Sequence, residues 1–204
     1  MKKIKKFIYL ISPNKIIGKL FYKQLEEVFK SNKVAFFQLR LKKEKLIKLV
    51  HVGKKVNSIC KKYKVKLIIN NDPLLVKKIG ADGCHLGQSD MSISKAREIL
   101  KNKIIGITCH NSKILVKKAI NKKVDYIAIG AFFPTKTKKV KYRAKIKDLI
   151  KIKKITNIPI VAIGGINNLN YNKLLLNKAN FLAISGYIWK NKKYKPLQAT
   201  ERLK

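Results

Sequence analysis

The chain has 204 residues, 46% of them hydrophobic, which suits one domain with a substantial core and excludes a disordered tail. No run of 18 apolar residues occurs, so no transmembrane helix is expected, and the apolar stretch at residues 7–11 is too short for a secretion signal and reads as a first strand. Lys and Arg number 49 against 10 Asp and Glu, a formal charge of +39, but the lysines are scattered through every segment. A nucleic-acid protein concentrates such charge on one patch with aromatic residues between, so no specific nucleic-acid partner is expected. The field should still draw in anionic ligands.

In chain order, short β-like runs fall at residues 7–12, 34–40, 66–70, 83–86, 104–108, 126–130, 158–163 and 181–185. Helical spacing fills the gaps between them. Phe21, Leu25, Val28 and Phe29 fall on one helical face, as do Leu46, Leu49, Val50, Gly53, Val56, Cys60 and Tyr63. Leu74, Leu75 and Lys78 mark a much shorter helix. Asn111 can cap a helix carrying Ile114, Leu115, Lys118 and Ala119, and Leu149, Ile152 and Ile155 repeat the pattern later. No linker rich in Pro, Gly or Ser divides the chain. Eight strands alternating with helices predict a single-domain (β/α)₈ TIM barrel over residues 1–193, with a doubly wound open sheet as the fallback. Residues 194–204 read as a weakly ordered extension of the last helix.

Cys60, Cys84 and Cys109 form an odd set without CxxC spacing, which predicts buried thiols in a reducing cytoplasm rather than disulfides or a zinc site.

In barrel enzymes the chemistry sits at the carboxyl ends of the strands. Here those ends carry polar, small and cationic residues, whereas the opposite ends lack such a set. The second run, VAFFQLRLK at 34–42, alternates in its latter half. Gln38, Arg40 and Lys42 therefore share one face, with Leu39 and Leu41 on the other. Cations facing into a barrel are costly unless an anion joins them. Later ends carry Asn70, Asn71 and Asp72, then His85, Gly87, Gln88 and Asp90, then Thr108 and His110, then Thr135, Thr137 and Lys138. Gly164 and Gly165 end the seventh run, and Ser185 and Gly186 end the eighth. Glycines there let backbone amides approach an anion, and barrels often bind phosphate at these two ends. Asp90 suits either a magnesium ligand or the N-cap of the following helix. His85, between apolar neighbours, reads as a structural hydrogen-bonding residue, and His110 stays open.

The motifs QLRLK, IINND, GADGCHLGQSD, IIGITCHN, DYIAIGAFFPTKTK, IPIVAIGGI and AISG, in this order at strand ends, resemble the thiamine-phosphate synthases, within the group that also holds the thiazole tautomerases. The resemblance implies a (β/α)₈ transferase of the cytoplasm. Such an enzyme joins hydroxymethylpyrimidine diphosphate to thiazole phosphate, yielding thiamine phosphate and diphosphate, with Mg²⁺. By resemblance, Gln38, Arg40 and Lys42, with Leu39 and Leu41 between them, would hold the pyrimidine diphosphate together with Asn70, Thr108 and Lys138. Arg40, Lys42 and Lys138 would steady the departing diphosphate. Magnesium would lie at Asn71 and Asp90, and the thiazole phosphate would meet Thr135, Lys136, Thr137, Gly165, Ile184 and Ser185.

Three positions depart from the family pattern: Asn71 stands where Asp is usual, Thr108 where Ser is common, and Gly186 where Ala is common. Asn71 removes one anionic metal ligand. Two alternatives remain. One is a tautomerase-like relative using His110 without magnesium, which would not need the retained diphosphate set. The other is a non-catalytic barrel binding polyanions through its charge. The sequence leaves open a homo-oligomer.

Overall fold

The computed structural model describes residues 6–42, 44–135, 137 and 140–203. Its strands are β1 (Ile8–Ile11), β2 (Val34–Leu39), β3 (Lys66–Asn70), β4 (Gly83–Leu86), β5 (Ile104–His110), β6 (Tyr126–Gly130), β7 (Ile160–Ile163) and β8 (Phe181–Ile184). All pair in parallel, each with the next, and β8 returns to β1 to close the barrel. The helices are α1 (Leu20–Lys30), α2 (Leu46–Lys62), α3 (Pro73–Ile79), α4 (Ile93–Leu100), α5 (Lys113–Asn121), α6 (Ile146–Lys153), α7 (Tyr171–Leu176), α8 (Gly186–Trp189) and α9 (Pro196–Glu201). The expected barrel is the one observed, and β3, β4 and β6 carry the expected bounds.

Strand alternation divides the core in two. One set, including Leu10, Phe37, Leu39, Leu67, Ile69, Ile105, Ile127 and Leu182, packs into the layer between barrel and helices. The other, Tyr9, Ile68, Tyr126, Ala128, Val161 and Ala183 with Phe36 and Phe181, fills the barrel itself. A Cβ built on Gly106 would lie 1.9 Å from the Tyr126 ring, so the bare backbone of β5 is what admits that ring to the barrel centre.

Several helix expectations need correction. Leu46 is exposed, because the first turn of α2 projects beyond the packed layer; Val52, Gly53, Val56, Ile59 and Cys60 make the buried face. Ser112, not Asn111, caps α5 by accepting from the Leu115 amide, while the Asn111 side chain donates to the Arg143 carbonyl. Ile114 is exposed, and Val116 takes the buried place with Ala119. Ser92 caps α4, so Asp90 is not that cap. The segment after residue 194 is not weakly ordered. It folds as α9 against α1 and α8, burying Ala199, Thr200 and Leu203, and Lys33 Nζ donates to the Glu201 and Leu203 carbonyls at its end. The three cysteines are free and buried, as expected.

Candidate active site

The strand registers set Gln38, Asn70, His85, Thr108, Gly130 and Ile163 on the face that lines the barrel, at or near the carboxyl ends. Gln38 is buried. Arg40 follows β2 directly, and its backbone N–H donates to Ser12 Oγ at 2.9 Å. The half-buried Arg40 guanidinium has no hydrogen-bond or ion-pair partner among the described residues, and burial lowers its proton affinity from the ordinary value. Lys42, one step further, is exposed. Leu39 and Leu41 pack toward the helix layer, beside a small cavity they share with Leu49, Ile69 and Leu75. At these two positions only the backbone is open to a ligand in the barrel mouth.

Ser12 joins three strand tips. Its amide donates to the Gln38 carbonyl at 2.9 Å, its hydroxyl holds Arg40, and its carbonyl accepts from Ser185 Oγ at 3.2 Å. Trp189 Nε1 donates to the adjacent Ile11 carbonyl at 2.7 Å. Arg40 and Ser185 are thereby tied to one buried residue that no sequence period marks out.

At the next tips, Asn70 pairs in register with His85. Asn71 is exposed with φ 65°, a left-handed conformation that Asn tolerates better than most residues, and its amide donates to the His85 carbonyl at 2.8 Å. Asp72 is not on the strand. Its carboxylate caps α3 by accepting from the Leu75 amide, which turns it away from a metal role. Asp90 Oδ2 accepts from the Gly87 amide at 2.6 Å, which fixes its loop, and its other oxygen has no partner among the described residues. No group of three or more His, Cys, Asp or Glu that could hold a metal occurs among the described residues. One open carboxylate and one amide fit a magnesium ion that takes most of its ligands from substrate oxygens and water, rather than a preformed cage.

Below these tips runs a hydrogen-bond chain. Tyr9 Oη lies 2.7 Å from Tyr126 Oη, Tyr126 Oη lies 2.9 Å from His85 Nδ1, and His85 Nε2 lies 2.9 Å from Thr108 Oγ1. The His85 and Tyr126 rings stack at 5.6 Å. Desolvation pushes both phenols well above their ordinary value, so both stay protonated. With both ring nitrogens engaged, His85 has the structural role expected for it. His110 closes β5 with φ 56° and packs its ring on Tyr142. Gln88 Nε2 donates to the Thr108 carbonyl at 2.6 Å.

On the far side, Gly164 and Gly165 have φ 107° and 61°. A Cβ on Gly165 would lie 2.2 Å from the Pro134 carbonyl oxygen, so the turn also admits the backbone that follows β6. Thr135 Oγ1 accepts from the Thr137 amide at 3.2 Å, and Thr137 lies against Gly186. Ile184 faces the helix layer, and Ser185 stands at the end of β8 with its hydroxyl on Ser12. Lys136 and Lys138 lie outside the described residues.

Fold and strand tips together define a (β/α)₈-barrel enzyme with its polar groups gathered at the carboxyl ends of the strands. The family model for thiamine monophosphate synthase matches residues 8–188. The chain is 66% identical over 200 residues to the thiamine-phosphate synthase of Pelagibacter ubique (strain HTCC1062), covering 98% of this chain and 97% of that one. It is 46% identical over 162 residues to the Fusobacterium nucleatum enzyme of the same name, covering 78% of each. Among solved structures, thiamine phosphate pyrophosphorylase from Pyrococcus furiosus superposes with a TM-score of 0.86 at 26% identity, covering 98% of this chain and 94% of that one. A 3-hexulose-6-phosphate synthase, at 13% identity and a TM-score of 0.66, shares the fold alone. The chain belongs to the thiamine monophosphate synthase family, and it is a transferase.

Proposed function

We propose that the chain joins hydroxymethylpyrimidine diphosphate to thiazole phosphate, giving thiamine phosphate and free diphosphate. The observation that carries this reading is the Arg40 guanidinium, half-buried beside the barrel mouth with no anion of the protein against it among the described residues. An unpaired cation in that position is stabilised by an incoming anion. Gln38, Asn70 and Thr108 supply neutral polar groups beside it, and Lys42 adds an exposed cation. Lys138 completes the diphosphate set by family resemblance.

The reaction breaks the bond between the pyrimidinylmethyl carbon and the diphosphate oxygen, and the electron pair leaves with the diphosphate. The pyrimidine amino group delocalises the positive charge that remains on carbon. The thiazole nitrogen then donates its lone pair to that carbon and closes the new bond. Arg40 stabilises charge growing on the leaving oxygen, with Lys42 and Lys138 as further cations. The turn at Gly164 and Gly165, with Thr135, Lys136, Thr137 and Ser185, holds the thiazole phosphate and so orients the nitrogen. No protein nucleophile is required. Asp90 and Asn71 are the residues that would hold magnesium, which supplies charge neutralisation on the diphosphate when bound.

The test is direct. Purified protein is mixed with both substrates and magnesium, and thiamine phosphate and diphosphate are measured together. Equal molar release of the two is expected. Absence of thiamine phosphate at saturating substrates and magnesium would overturn the reading.

A further inference from the structure

The chain Tyr9–Tyr126–His85–Thr108 has two conceivable directions. In the first, Tyr9 Oη–H donates to Tyr126 Oη. The Tyr126 hydrogen then goes to His85 Nδ1, which must be the bare nitrogen. The proton of the neutral imidazole sits on Nε2 and donates to Thr108 Oγ1. The Thr108 hydrogen is left over, at the end nearest the strand tips. In the second, every donor reverses: Thr108 donates to Nε2, Nδ1–H to Tyr126, and Tyr126 to Tyr9. The Tyr9 hydrogen then has no acceptor, because Tyr126 Oη is the one polar partner of Tyr9 Oη among the described residues. Tyr9 is 2% exposed and Tyr126 3%, so water does not rescue that hydrogen. A buried donor without a partner is the costlier arrangement, which selects the first direction.

We propose that this chain is a one-way relay that holds the Thr108 hydroxyl as a hydrogen-bond donor toward the diphosphate, with Tyr126 and His85 acting as positioning residues for it. This rests on the assignment of the diphosphate to the tips of β2, β3 and β5. A free hydroxyl can rotate and present either a hydrogen or a lone pair. Thr108 is biased, because accepting from His85 Nε2–H takes one of its two lone pairs and leaves its hydrogen unspent, and what it offers the mouth is that hydrogen, suited to an anion. The bare backbone at Gly106 belongs to the same device, since it is what lets the Tyr126 ring reach His85.

Two measurements test the relay. Imidazole ¹⁵N spectra of histidine-labelled protein, with the His85 signals identified by their loss in His85→Phe, report the tautomer in the unaltered chain. The Nε2–H form is expected, and the Nδ1–H form overturns the proposal. Binding of inorganic diphosphate in the presence of magnesium is then followed by calorimetry. Thr108→Val should weaken it about tenfold, and Thr108→Ser should restore the loss. Tyr126→Phe alone should weaken it about threefold or more, yet have no further effect in the Thr108→Val background. Equal losses from Tyr126→Phe in both backgrounds, or none in either, would mean the tyrosine acts by packing alone and would overturn the relay. The tautomer measurement stands even if Tyr126→Phe does not fold. Turnover of the unaltered protein, measured alongside, separates the two ideas: turnover without coupling removes the relay, and coupling without turnover removes the synthase reaction.

Discussion

Arg40 is held by its backbone and not by its charge. Ser12 fixes the amide, while the guanidinium stands half-buried without an anion beside it among the described residues. A group arranged for a ligand rather than for the fold should separate activity from stability. Arg40→Met is expected to lower kcat/KM by about ten- to a hundredfold, the equivalent of one charge-assisted hydrogen bond of roughly 1.5–3 kcal/mol. The thermal midpoint should stay level or rise, since an unpaired cation leaves a partly desolvated position. A parallel fall in both quantities would make Arg40 structural. Asn71 offers a second test. Its left-handed backbone suits Asp about as well as Asn, so Asn71→Asp should fold normally. The added carboxylate should lower the magnesium concentration for half-maximal rate several-fold and leave the rate at saturating magnesium unchanged. A higher saturated rate would show that the residue acts on the chemistry and not on metal affinity. Much at this scale was legible in the sequence. Alternation alone separated Gln38 and Arg40 from Leu39 and Leu41. Ser12, Tyr9 and Tyr126 were not legible as site residues. Their partners lie 28, 117 and 173 positions away along the chain, and a single hydroxyl carries no period to announce such a contact.

At the scale of elements, the strands were the readable part. Apolar β-branched runs bounded by Gly, Asn and Asp are strong punctuation, and they located all eight. Strand ends shifted by a residue or two where pairing, rather than side-chain type, decides the boundary, as at β5, which runs on to His110 through a bulge. α9 escaped because it is six residues long, too short to show a helical period, and it owes its order to α1 and α8. That dependence is testable. Leu203 is fully buried just past the end of α9, and Leu203→Ala should destabilise the protein by about 2–4 kcal/mol. Urea unfolding would show this as a lower midpoint at unchanged slope. Turnover below the transition should be unaffected, because α9 packs on α1 and α8 and carries none of the site residues itself. A loss under about 0.5 kcal/mol would mean the segment is not integral to the core.

For the whole molecule, burial of the thiols contributes to the response to alkali, alongside the buried phenols of Tyr9 and Tyr126. Desolvation pushes Cys84 and Cys109 up to about 12 in the folded chain. In the unfolded chain they ionise near the ordinary thiol value of about 8.5. Above that value the unfolded state binds fewer protons than the folded one, so stability falls as pH rises, and it keeps falling until the folded thiols ionise. The stability contributed by protonated thiols is complete below about pH 8.5 and is lost across the window up to about 12. Each thiol should add about 1.4 kcal/mol per pH unit to the downward slope. Urea unfolding between about pH 9 and pH 11 should therefore be less steeply pH-dependent in Cys109→Ala than in the unaltered chain. Identical slopes would place the alkaline loss elsewhere.

Lys33 gathers the two outer reaches of the described chain. Its carbonyl accepts from the Phe7 and Ile8 amides, and its ammonium donates to the carbonyls of Glu201 and Leu203. Residues 7 and 203 are thus neighbours, on the side of the barrel where the strands begin and away from the catalytic rim. A short linker joining residues 7 and 203, with a new opening cut in the turn between α4 and β5 on that same side, should give a permuted chain that folds and turns over substrate.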